Sequence, residues 1–388
     1  MPRVSLDDEA RAELGALEAA HRLRTPRVVD GKQGRLLELD GAPVLNLSSN
    51  DYLGLAGDPR LAAAGSAALA TAGAGAGASR LITGNHREHV ELERAVADWL
   101  RRDGVRVFNT GYAANVGVLT ALLGADDVVF SDELDHASII DGCRLSRARV
   151  VVYRHLDLGD LEAALRAHAG RRRIVVSETL FSMDGDVADV AGLASLCRAH
   201  GAALVLDEAH ACGALGPEGR GIAALAGVEP DVVIGTFGKA LGTFGAFAAT
   251  TPAIAQLLWN RARPFVFSTG LPPVVAAMSR AAIDIVRSGE GAARRRDLER
   301  NAVRFRAALE VPPQTLATAI VPLVVGDDRR ALRLSAALFA DGLHVQAIRP
   351  PTVPDGTARL RVSLSSALTA ADVDGAGRAI RGAFAGLA

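Results

Sequence analysis

The sequence has few cysteines and no excess of charge of either sign. Its 388 residues include three cysteines, Cys143, Cys197 and Cys212, which are widely separated and form no C-x-x-C pair. This pattern argues against a disulfide framework or a zinc ribbon, and no metal site is predicted. The formal net charge is −1. Because a nucleic-acid-binding surface normally shows a basic excess, we expect no nucleic-acid partner.

Long hydrophobic runs are also missing. The longest uncharged run, between Lys239 and Arg261, contains three threonines and a Thr-Thr-Pro break, so it is not predicted to span a membrane. The first residues, MPRVSLDDEARAEL, form an acidic helical pattern rather than the basic-then-apolar pattern of a signal peptide. We therefore expect a soluble, cytoplasmic protein.

Lysine is nearly absent. Of the 43 basic residues only Lys32 and Lys239 are lysines, and the other 41 are arginines. Arginine does not lose its proton in a protein, whereas a partly desolvated lysine can become a nucleophile. Lys32 lies in a DGKQG turn and is assigned no role. Lys239 is therefore a candidate for lysine-specific chemistry, although composition alone is equally compatible with chance survival.

The order of elements predicts an α/β fold in three parts. An N-terminal arm, residues 1–55, contains a helix over 5–22 and a hairpin over 35–39 and 43–47. A large domain, residues 56–285, alternates helices with apolar strands near 106–109, 127–131, 150–153, 173–178, 203–208, 231–236 and 244–249. This alternation predicts a mostly parallel sheet covered on both faces. A small α/β domain, residues 286–388, contains strands near 319–325, 344–347 and 359–362, with helices over 290–310, 328–340 and 369–386.

Polar residues follow five of the predicted strands. The segments are FNTGYAAN, SDELDHAS, VSETLFSMDG, VLDEAH and VIGTFGKALG. Parallel sheets bind ligands beyond the carboxyl ends of their strands, so these segments predict one site. It contains Gly111, Tyr112, His136, Glu178, Ser182, Asp207, His210, Thr236 and Lys239.

The reactive groups in this set suit a phosphorylated aldehyde cofactor with a pyridine ring. Lys239 would hold the aldehyde as a Schiff base, and Asp207 would keep the pyridine nitrogen protonated so that the ring accepts carbanion electrons. His136 could stack on the ring, and His210 could hydrogen-bond to its phenolic oxygen.

The remaining residues suit the phosphate. The hydroxyls of Ser182 and Thr236, with the backbone N–H groups of Gly111 and Tyr112, would hold it at a helix N-terminus.

Each residue also has a simpler interpretation. His136 alone is more often a capping histidine, Asp207 after a strand is often a helix or turn cap, and glycine-rich runs usually mark turns. DEAH at 207–210 suggests a helicase, but the GxxxxGK[ST] loop that such an enzyme needs is missing from the sequence. The joint arrangement favours the cofactor site.

A series of motifs resembles the α-oxoamine synthases, a branch of the aspartate-aminotransferase-like (fold type I) pyridoxal-phosphate enzymes. Across nearly the whole chain the motifs occur in family order: SSNDYLGL, GAGASRLITGNHREHVELE, NTGYAANVGVL, DELDHASIIDG, ETLFSMDGD, DEAHACGALGPEGRG, GTFGKALGTFGAF and FSTGLPP. The resemblance implies pyridoxal 5'-phosphate as cofactor and a homodimer with its sites at the subunit interface.

The resemblance also implies residue roles. It gives Lys239, Asp207, His210, His136, Ser182 and Thr236 the roles described above. It adds Thr269, which would reach the phosphate of the neighbouring subunit. It also adds Arg361, which would hold the amino-acid carboxylate in a directional Arg–carboxylate pair.

Within the family, QAIRPPTVPDGTARLRVSL is most similar to members that condense L-alanine with a pimeloyl thioester, with decarboxylation, in biotin synthesis. Arg349 and Thr352 lie in its RPPT motif, and Arg24 matches an N-terminal arginine near the pimeloyl end. The acyl carrier is either coenzyme A or a carrier protein. One position departs from the family pattern: Leu368 lies in a segment where members often carry histidine.

Two alternatives stay open. One is a glycine-using sibling, either 2-amino-3-ketobutyrate CoA ligase or 5-aminolevulinate synthase. The other is a non-catalytic cofactor-binding partner of the same fold, against which the joint presence of Lys239, Asp207, His210 and His136 argues.

Overall fold

The computed structural model describes residues 5–386. The chain forms two compact units, one made of residues 50–298 and the other of the residues before and after that range. The three-part division of the sequence at residues 55 and 285 stays a prediction. Within residues 5–386, no helix combines the length and the apolar character that a bilayer crossing requires.

Strands and helices are numbered in chain order. The strands are β1 (Val29–Asp30), β2 (Leu36–Leu39), β3 (Ala42–Asn46), β4 (Gly104–Phe108), β5 (Val128–Asp132), β6 (Arg149–Tyr153), β7 (Arg173–Glu178), β8 (Ala203–Asp207), β9 (Val232–Thr236), β10 (Ala246–Thr250), β11 (Ile320–Gly326), β12 (Leu343–His344), β13 (Gln346–Ile348) and β14 (Ala358–Ser363). The helices are α1 (Leu6–Ala19), α2 (Pro59–Ala72), α3 (Arg87–Leu100), α4 (Gly111–Leu122), α5 (Ala137–Leu145), α6 (Leu158–Ala167), α7 (Val190–His200), α8 (Ile222–Leu225), α9 (Pro252–Arg261), α10 (Arg263–Val266), α11 (Pro273–Arg287), α12 (Gly289–Leu309), α13 (Asp328–Ala340) and α14 (Ala370–Ala385).

The unit of residues 50–298 contains a seven-stranded sheet in the order β4-β10-β9-β8-β7-β5-β6. The pairings from β9 to β6 are parallel, whereas β10 is antiparallel to both of its neighbours. The prediction of an α/β fold with a mostly parallel sheet is therefore confirmed. The central strands are rich in Val and Ile because helices bury both faces of such a sheet. Val129, Val176, Val205 and Ile234 all belong to one buried core with residues of α4.

The parallel part of the sheet positions the predicted site. β5, β7, β8 and β9 end at Asp132, Glu178, Asp207 and Thr236, respectively. In the register of β7 and β8, Glu178 lies opposite Asp207. Because the strands are parallel, these four polar residues lie along one edge of the sheet.

The other unit contains two small sheets. Their strand orders are β1-β2-β3-β12 and β11-β14-β13. β12 pairs parallel with β3, whereas β13 pairs antiparallel with β14. The single strand expected near 344–347 is therefore two strands that belong to different sheets, with Val345 between them.

Candidate active site

Lys239 lies in a tight turn between β9 and β10. The N–H of Gly242 donates to the Lys239 carbonyl oxygen (2.8 Å), and the N–H of Gly238 donates to Thr236 Oγ1 (3.1 Å). Gly242 has a φ of +67°, and a Cβ there would lie 2.4 Å from the backbone nitrogen of Ala56. The turn therefore needs glycine both for its backbone conformation and for its close approach to the chain at residue 56.

Asp207 is buried at the end of β8, with both carboxylate oxygens hydrogen-bonded. Asn115 Nδ2 donates to Oδ2 (2.7 Å), and the backbone N–H of Ala209 donates to Oδ1 (2.8 Å). Donors to both oxygens stabilise the ionised form of a carboxylate. Asp207 is thus suited to face a cationic partner such as a protonated pyridine nitrogen.

His136 caps α5 and also lies beside the reactive groups. Its Nδ1 accepts the N–H of Ser138 (3.2 Å) and is 2.7 Å from the Ser138 hydroxyl. Asn115 Nδ2 donates to that hydroxyl (2.9 Å), so Asn115 links Asp207 to the turn that carries His136. Burial lowers the pKa of His136, Asp207 raises it and Lys239 lowers it. The accepting role of Nδ1 assigns the ring proton to Nε2.

Glu178 is a second buried carboxyl in the same cluster. Burial, followed by repulsion from Asp207 and Asp135, raises its pKa well above the ordinary value, while Lys239 acts in the opposite direction. Among the described residues its Oε1 has no hydrogen-bond partner. The protonated form of the Glu178 carboxyl is therefore favoured in this cluster.

His210 is hydrogen-bonded to Tyr52, which lies near the start of the 50–298 unit. Its Nδ1 lies 2.6 Å from the hydroxyl oxygen of Tyr52, and that hydroxyl also reaches Asn50 Oδ1 (3.2 Å). Because Nδ1 is engaged by Tyr52, a hydrogen bond from His210 to a phenolic oxygen would use Nε2.

The expected phosphate ligands lie on separate segments. α4 begins at Gly111 after its N-cap residue Thr110, and a Cβ on Gly111 would have no atom within 4 Å. Ser182 lies in the loop between the paired residues Leu180 and Val187. An open helix N-terminus such as that of α4 is a suitable phosphate site.

Two of the expected ligands have their hydroxyls engaged within the chain. Tyr112 donates to Asp141 Oδ2 (2.7 Å), which leaves its backbone N–H for a phosphate. Thr236 donates to the Gly245 carbonyl oxygen (2.9 Å) and would have to rotate its proton to reach a phosphate. Thr269 is exposed, and Asn109 Nδ2 donates to its carbonyl oxygen (2.9 Å).

The residues expected at the acyl end lie together in the other unit. Arg24 Nη2 donates to Thr352 Oγ1 (3.1 Å), and Arg349 donates to the His21 carbonyl oxygen. Burial and then the neighbouring Arg24 lower the pKa of Arg349. Two adjacent guanidinium groups repel each other, so this pair is suited to an anionic ligand.

Arg361 and Leu368 are both buried. Arg361 lies in β14, and its Nη1 donates to Ser363 Oγ (3.0 Å). Asn301 Nδ2 donates a hydrogen bond to the carbonyl oxygen of Leu368 (2.9 Å). The segment in which Leu368 departs from the family pattern is therefore fixed through a backbone contact.

Sequence reasoning missed Asn115 and Tyr52, and it also missed His155, whose ring nitrogens lie 2.8 Å from Asp132 Oδ1 and 2.8 Å from Asp186 Oδ2. Asn115 follows Gly111 by one helical turn, a spacing that places both on one face of α4. His155 follows β6 just as the five predicted segments follow their strands, so the same rule could have found it. Tyr52 gave no such signal, because its contact with His210 is long-range.

The donor set fits pyridoxal phosphate on the observations above. An amine, a buried carboxylate with donors on both oxygens, a buried capping histidine and an open helix N-terminus occur in one unit. These are the groups that the aldehyde, the pyridine nitrogen, the ring face and the phosphate require.

Comparison with known proteins agrees with this fit. The sequence matches the family Aminotransferase class I and II over residues 42–380. It is 49% identical over 369 residues to 8-amino-7-oxononanoate synthase from Anaeromyxobacter dehalogenans, covering 94% of this chain and 92% of that protein. The enzyme of the same name from Geobacter sulfurreducens is 47% identical, with 93% and 94% coverage.

Solved structures give the same result. Serine palmitoyltransferase from S. paucimobilis, with a bound PLP–myriocin adduct, has a TM-score of 0.93 and 31% identity over 99% of both chains. 8-Amino-7-oxononanoate synthase from Francisella tularensis has a TM-score of 0.76 and 27% identity, covering 89% of this chain and 98% of that one. The chain therefore belongs to the class I and II aminotransferase family of fold type I pyridoxal-phosphate enzymes and, within it, to the 8-amino-7-oxononanoate synthases.

Proposed function

We propose that this enzyme condenses L-alanine with a pimeloyl thioester in biotin biosynthesis. The products are 8-amino-7-oxononanoate, carbon dioxide and the free thiol of the acyl carrier. The observation that carries the proposal is the near-full-length similarity to relatives named for this activity, at 49% and 47% identity. The paired arginines Arg24 and Arg349 support it, because a pimeloyl chain ends in a carboxylate.

The bond changes require a base and an electron sink. The Cα–H bond of alanine breaks, Cα forms a bond to the thioester carbonyl carbon, and the thiolate leaves. The bond from Cα to the alanine carboxylate then breaks as carbon dioxide departs, and a proton returns to Cα. Bound pyridoxal phosphate supplies the aldehyde that engages the amine and the ring that accepts the electron pair.

Lys239 and Asp207 do the remaining chemistry. The Lys239 Nζ would remove the Cα proton and later return one, as a general base and acid. The Asp207 carboxylate, which Asn115 holds in place with its 2.7 Å hydrogen bond, would keep the pyridine nitrogen protonated. His136, fixed through Nδ1, would cover the ring of the bound cofactor.

The substrate carboxylates are assigned to arginines. Arg361 would hold the alanine carboxylate and so orient the Cα–H bond across the ring plane. Arg24 and Arg349, with Thr352, would bind the terminal carboxylate of the pimeloyl group. Ser182, Thr236 and the N-terminus of α4 would hold the cofactor phosphate, with Thr269 contributed to the neighbouring subunit of a homodimer.

We propose that the reaction takes place in the cytoplasm. Cys143, Cys197 and Cys212 are all buried and form no disulfide, which is the state expected in a reducing compartment.

The acyl-end assignment is tested with two thioesters of equal chain length. Pimeloyl-CoA carries a terminal carboxylate and heptanoyl-CoA does not, so the ratio of their kcat/KM values isolates recognition of that carboxylate. We expect the wild type to prefer pimeloyl-CoA by at least about tenfold, and Arg349→Gln or Arg24→Gln to remove most of the preference. Arg333→Gln, an exposed arginine of α13, is the matched control. Equal use of both thioesters by the wild type would contradict the proposal.

A further inference from the structure

His155 lies between two carboxylates. Its Nδ1 is 2.8 Å from Asp132 Oδ1, and its Nε2 is 2.8 Å from Asp186 Oδ2. An ionised carboxylate can only accept hydrogen bonds, so both ring nitrogens must donate. The ring is therefore an imidazolium with one positive charge between two negative charges.

The effects of burial and of the two carboxylates on the pKa of His155 agree with the imidazolium state. Burial lowers the pKa of His155, but the hydrogen bonds to Asp132 and Asp186 outweigh it and raise the pKa to about 10. The His155 side chain is only 16% exposed and that of Asp132 is buried, so solvent screens the contact between these two weakly. His155 keeps its charge throughout the neutral range.

Asp132 connects His155 to the turn that carries His136. Asp132 ends β5, and its Oδ1 also accepts the N–H of Leu134 (2.9 Å). The N–H of Asp132 in turn donates to Asp135 Oδ2 (3.0 Å), and His136 is the next residue. A shift of the Asp132 carboxylate would therefore be transmitted to the base of the His136 side chain.

Asp186 connects His155 to the loop that carries Ser182. The carbonyl oxygen of Asp186 accepts the N–H of Phe181 (3.1 Å), and the Phe181 carbonyl oxygen accepts the N–H of Gly185 (2.9 Å). The His155 ring also packs edge-on against the Phe181 ring, with centroids 4.5 Å apart. Ser182 follows directly, so this loop is anchored on both sides of the serine.

We propose that His155 is a positioning residue for the cofactor. By linking the Asp132 turn to the Asp186 loop, its imidazolium holds the ring-stacking residue His136 and the phosphate ligand Ser182 at a fixed separation. The inference rests on the roles proposed above for His136 and Ser182. It does not depend on which amino acid or thioester the enzyme uses.

The test measures the dissociation constant of pyridoxal phosphate by titrating cofactor-free protein and following visible absorbance. His155→Gln removes the charge and leaves Asp132 and Asp186 facing each other. We expect it to weaken cofactor binding by about tenfold. Adding Asp186→Asn removes one of the two repelling charges, so the double variant should recover the part of the loss that repulsion causes, whereas loss of packing alone would not be recovered.

His200 provides a matched control. It is 17% exposed and lies 3.5 Å from a carboxylate oxygen of Glu162, but it ends α7 and contacts neither connected segment. His200→Gln should leave the dissociation constant unchanged. An unchanged constant in His155→Gln, or an equal loss in His200→Gln, would overturn the inference.

Two further variants keep the test decisive. If His155→Gln does not fold, Asp186→Ala alone keeps the His155–Asp132 pair and removes the contact of His155 with the loop. It should weaken cofactor binding severalfold, and an unchanged constant refutes the link. Ser182→Ala tests the phosphate assignment separately. If Ser182→Ala binds pyridoxal phosphate more weakly but His155→Gln binds it normally, the inference alone is rejected. If Ser182→Ala binds pyridoxal phosphate normally, the phosphate assignment and the inference are both rejected.

Discussion

Single residues in this site are defined by the neighbours that set their charge. Asp207 and Glu178 lie opposite each other in register, yet only Asp207 has donors on both oxygens. Sequence reasoning assigned Asp207 from its position after a strand. It could not show how the two carboxyls differ, because the hydrogen bonds of Asp207 depend on Asn115 and the raised pKa of Glu178 depends on burial.

Replacing Lys239 with arginine tests the residue that the composition singled out. Lys239→Arg keeps the positive charge, but a guanidinium cannot lose its proton or engage the aldehyde. We expect turnover to disappear. Borohydride reduction followed by mass spectrometry should show covalently attached cofactor in the wild type and none in the variant. Near-normal turnover would refute the role of Lys239, and Lys32→Arg is the control that should change neither readout.

The charge of His155 should be visible in the pH dependence of stability. Folding raises its pKa from the ordinary 6.5 to about 10, so the folded state binds this proton more tightly. The resulting stabilisation is complete below about pH 6.5 and is lost as the pH rises to about 10. The facing charged groups are Asp132, Asp186 and the carboxylate of Glu133, which accepts the His155 N–H.

Denaturant unfolding of cofactor-free protein measures this effect. From neutral pH to about pH 10, the wild type should lose more unfolding free energy than His155→Gln, because only the wild type carries the titrating ring. The other titrating groups are common to both proteins and cancel in the comparison. Parallel curves would show that His155 is not charged in the folded protein.

Strands and helices of the 50–298 unit were predictable because their hydrophobic patterns are local. The strand expected over 173–178 is found at Arg173–Glu178, since a short apolar run between polar turns is a strong strand signal. The split of the segment 344–347 between two sheets was not predictable. The alternation of apolar and polar residues runs from β12 into β13 without a break. The change of sheet depends on the partner strands, which are β3 for β12 and β14 for β13.

The geometry of the turn that carries Lys239 predicts the effect of replacing Gly242. Gly242 and Gly227 both have left-handed φ values, +67° and +65°, but a Cβ meets backbone atoms only at Gly242. Gly227→Ala should cost about 1 kcal/mol from the backbone conformation. Gly242→Ala should cost roughly 1–3 kcal/mol more, because it also forces the turn away from residue 56.

Thermal or denaturant unfolding of the two glycine variants gives the comparison. Gly242→Ala should also lower turnover, since it moves Lys239, whereas Gly227→Ala should not. Equal stability losses in the two variants would show that the turn is not constrained by the contact at Ala56.

For the whole molecule, the motif order predicted family, fold and cofactor correctly. The homodimer stays a proposal, supported by apolar side chains exposed around Thr269. Ile82 is 75% exposed and Phe267 is 71% exposed, and large exposed apolar side chains of this kind suit a surface that a partner covers.

Sedimentation measures the oligomeric state. The wild type should sediment at twice the chain mass of 40.3 kDa, and Phe267→Glu should shift it toward the monomer and weaken cofactor binding. Val152→Glu, on the edge strand β6 where Val152 is 61% exposed, should leave the dimer intact. A monomeric wild type with full activity would contradict a shared site.

Product analysis distinguishes the proposed reaction from that of a glycine-using sibling. The purified holoenzyme is given L-alanine with pimeloyl-CoA, glycine with acetyl-CoA, or glycine with succinyl-CoA, and the products and free thiol are quantified by mass spectrometry. We expect 8-amino-7-oxononanoate from the first pair and little product from either glycine pair. A clear preference for a glycine pair would contradict it, leaving the fold, the cofactor and the role of Lys239 in place but assigning the enzyme to a glycine-using sibling.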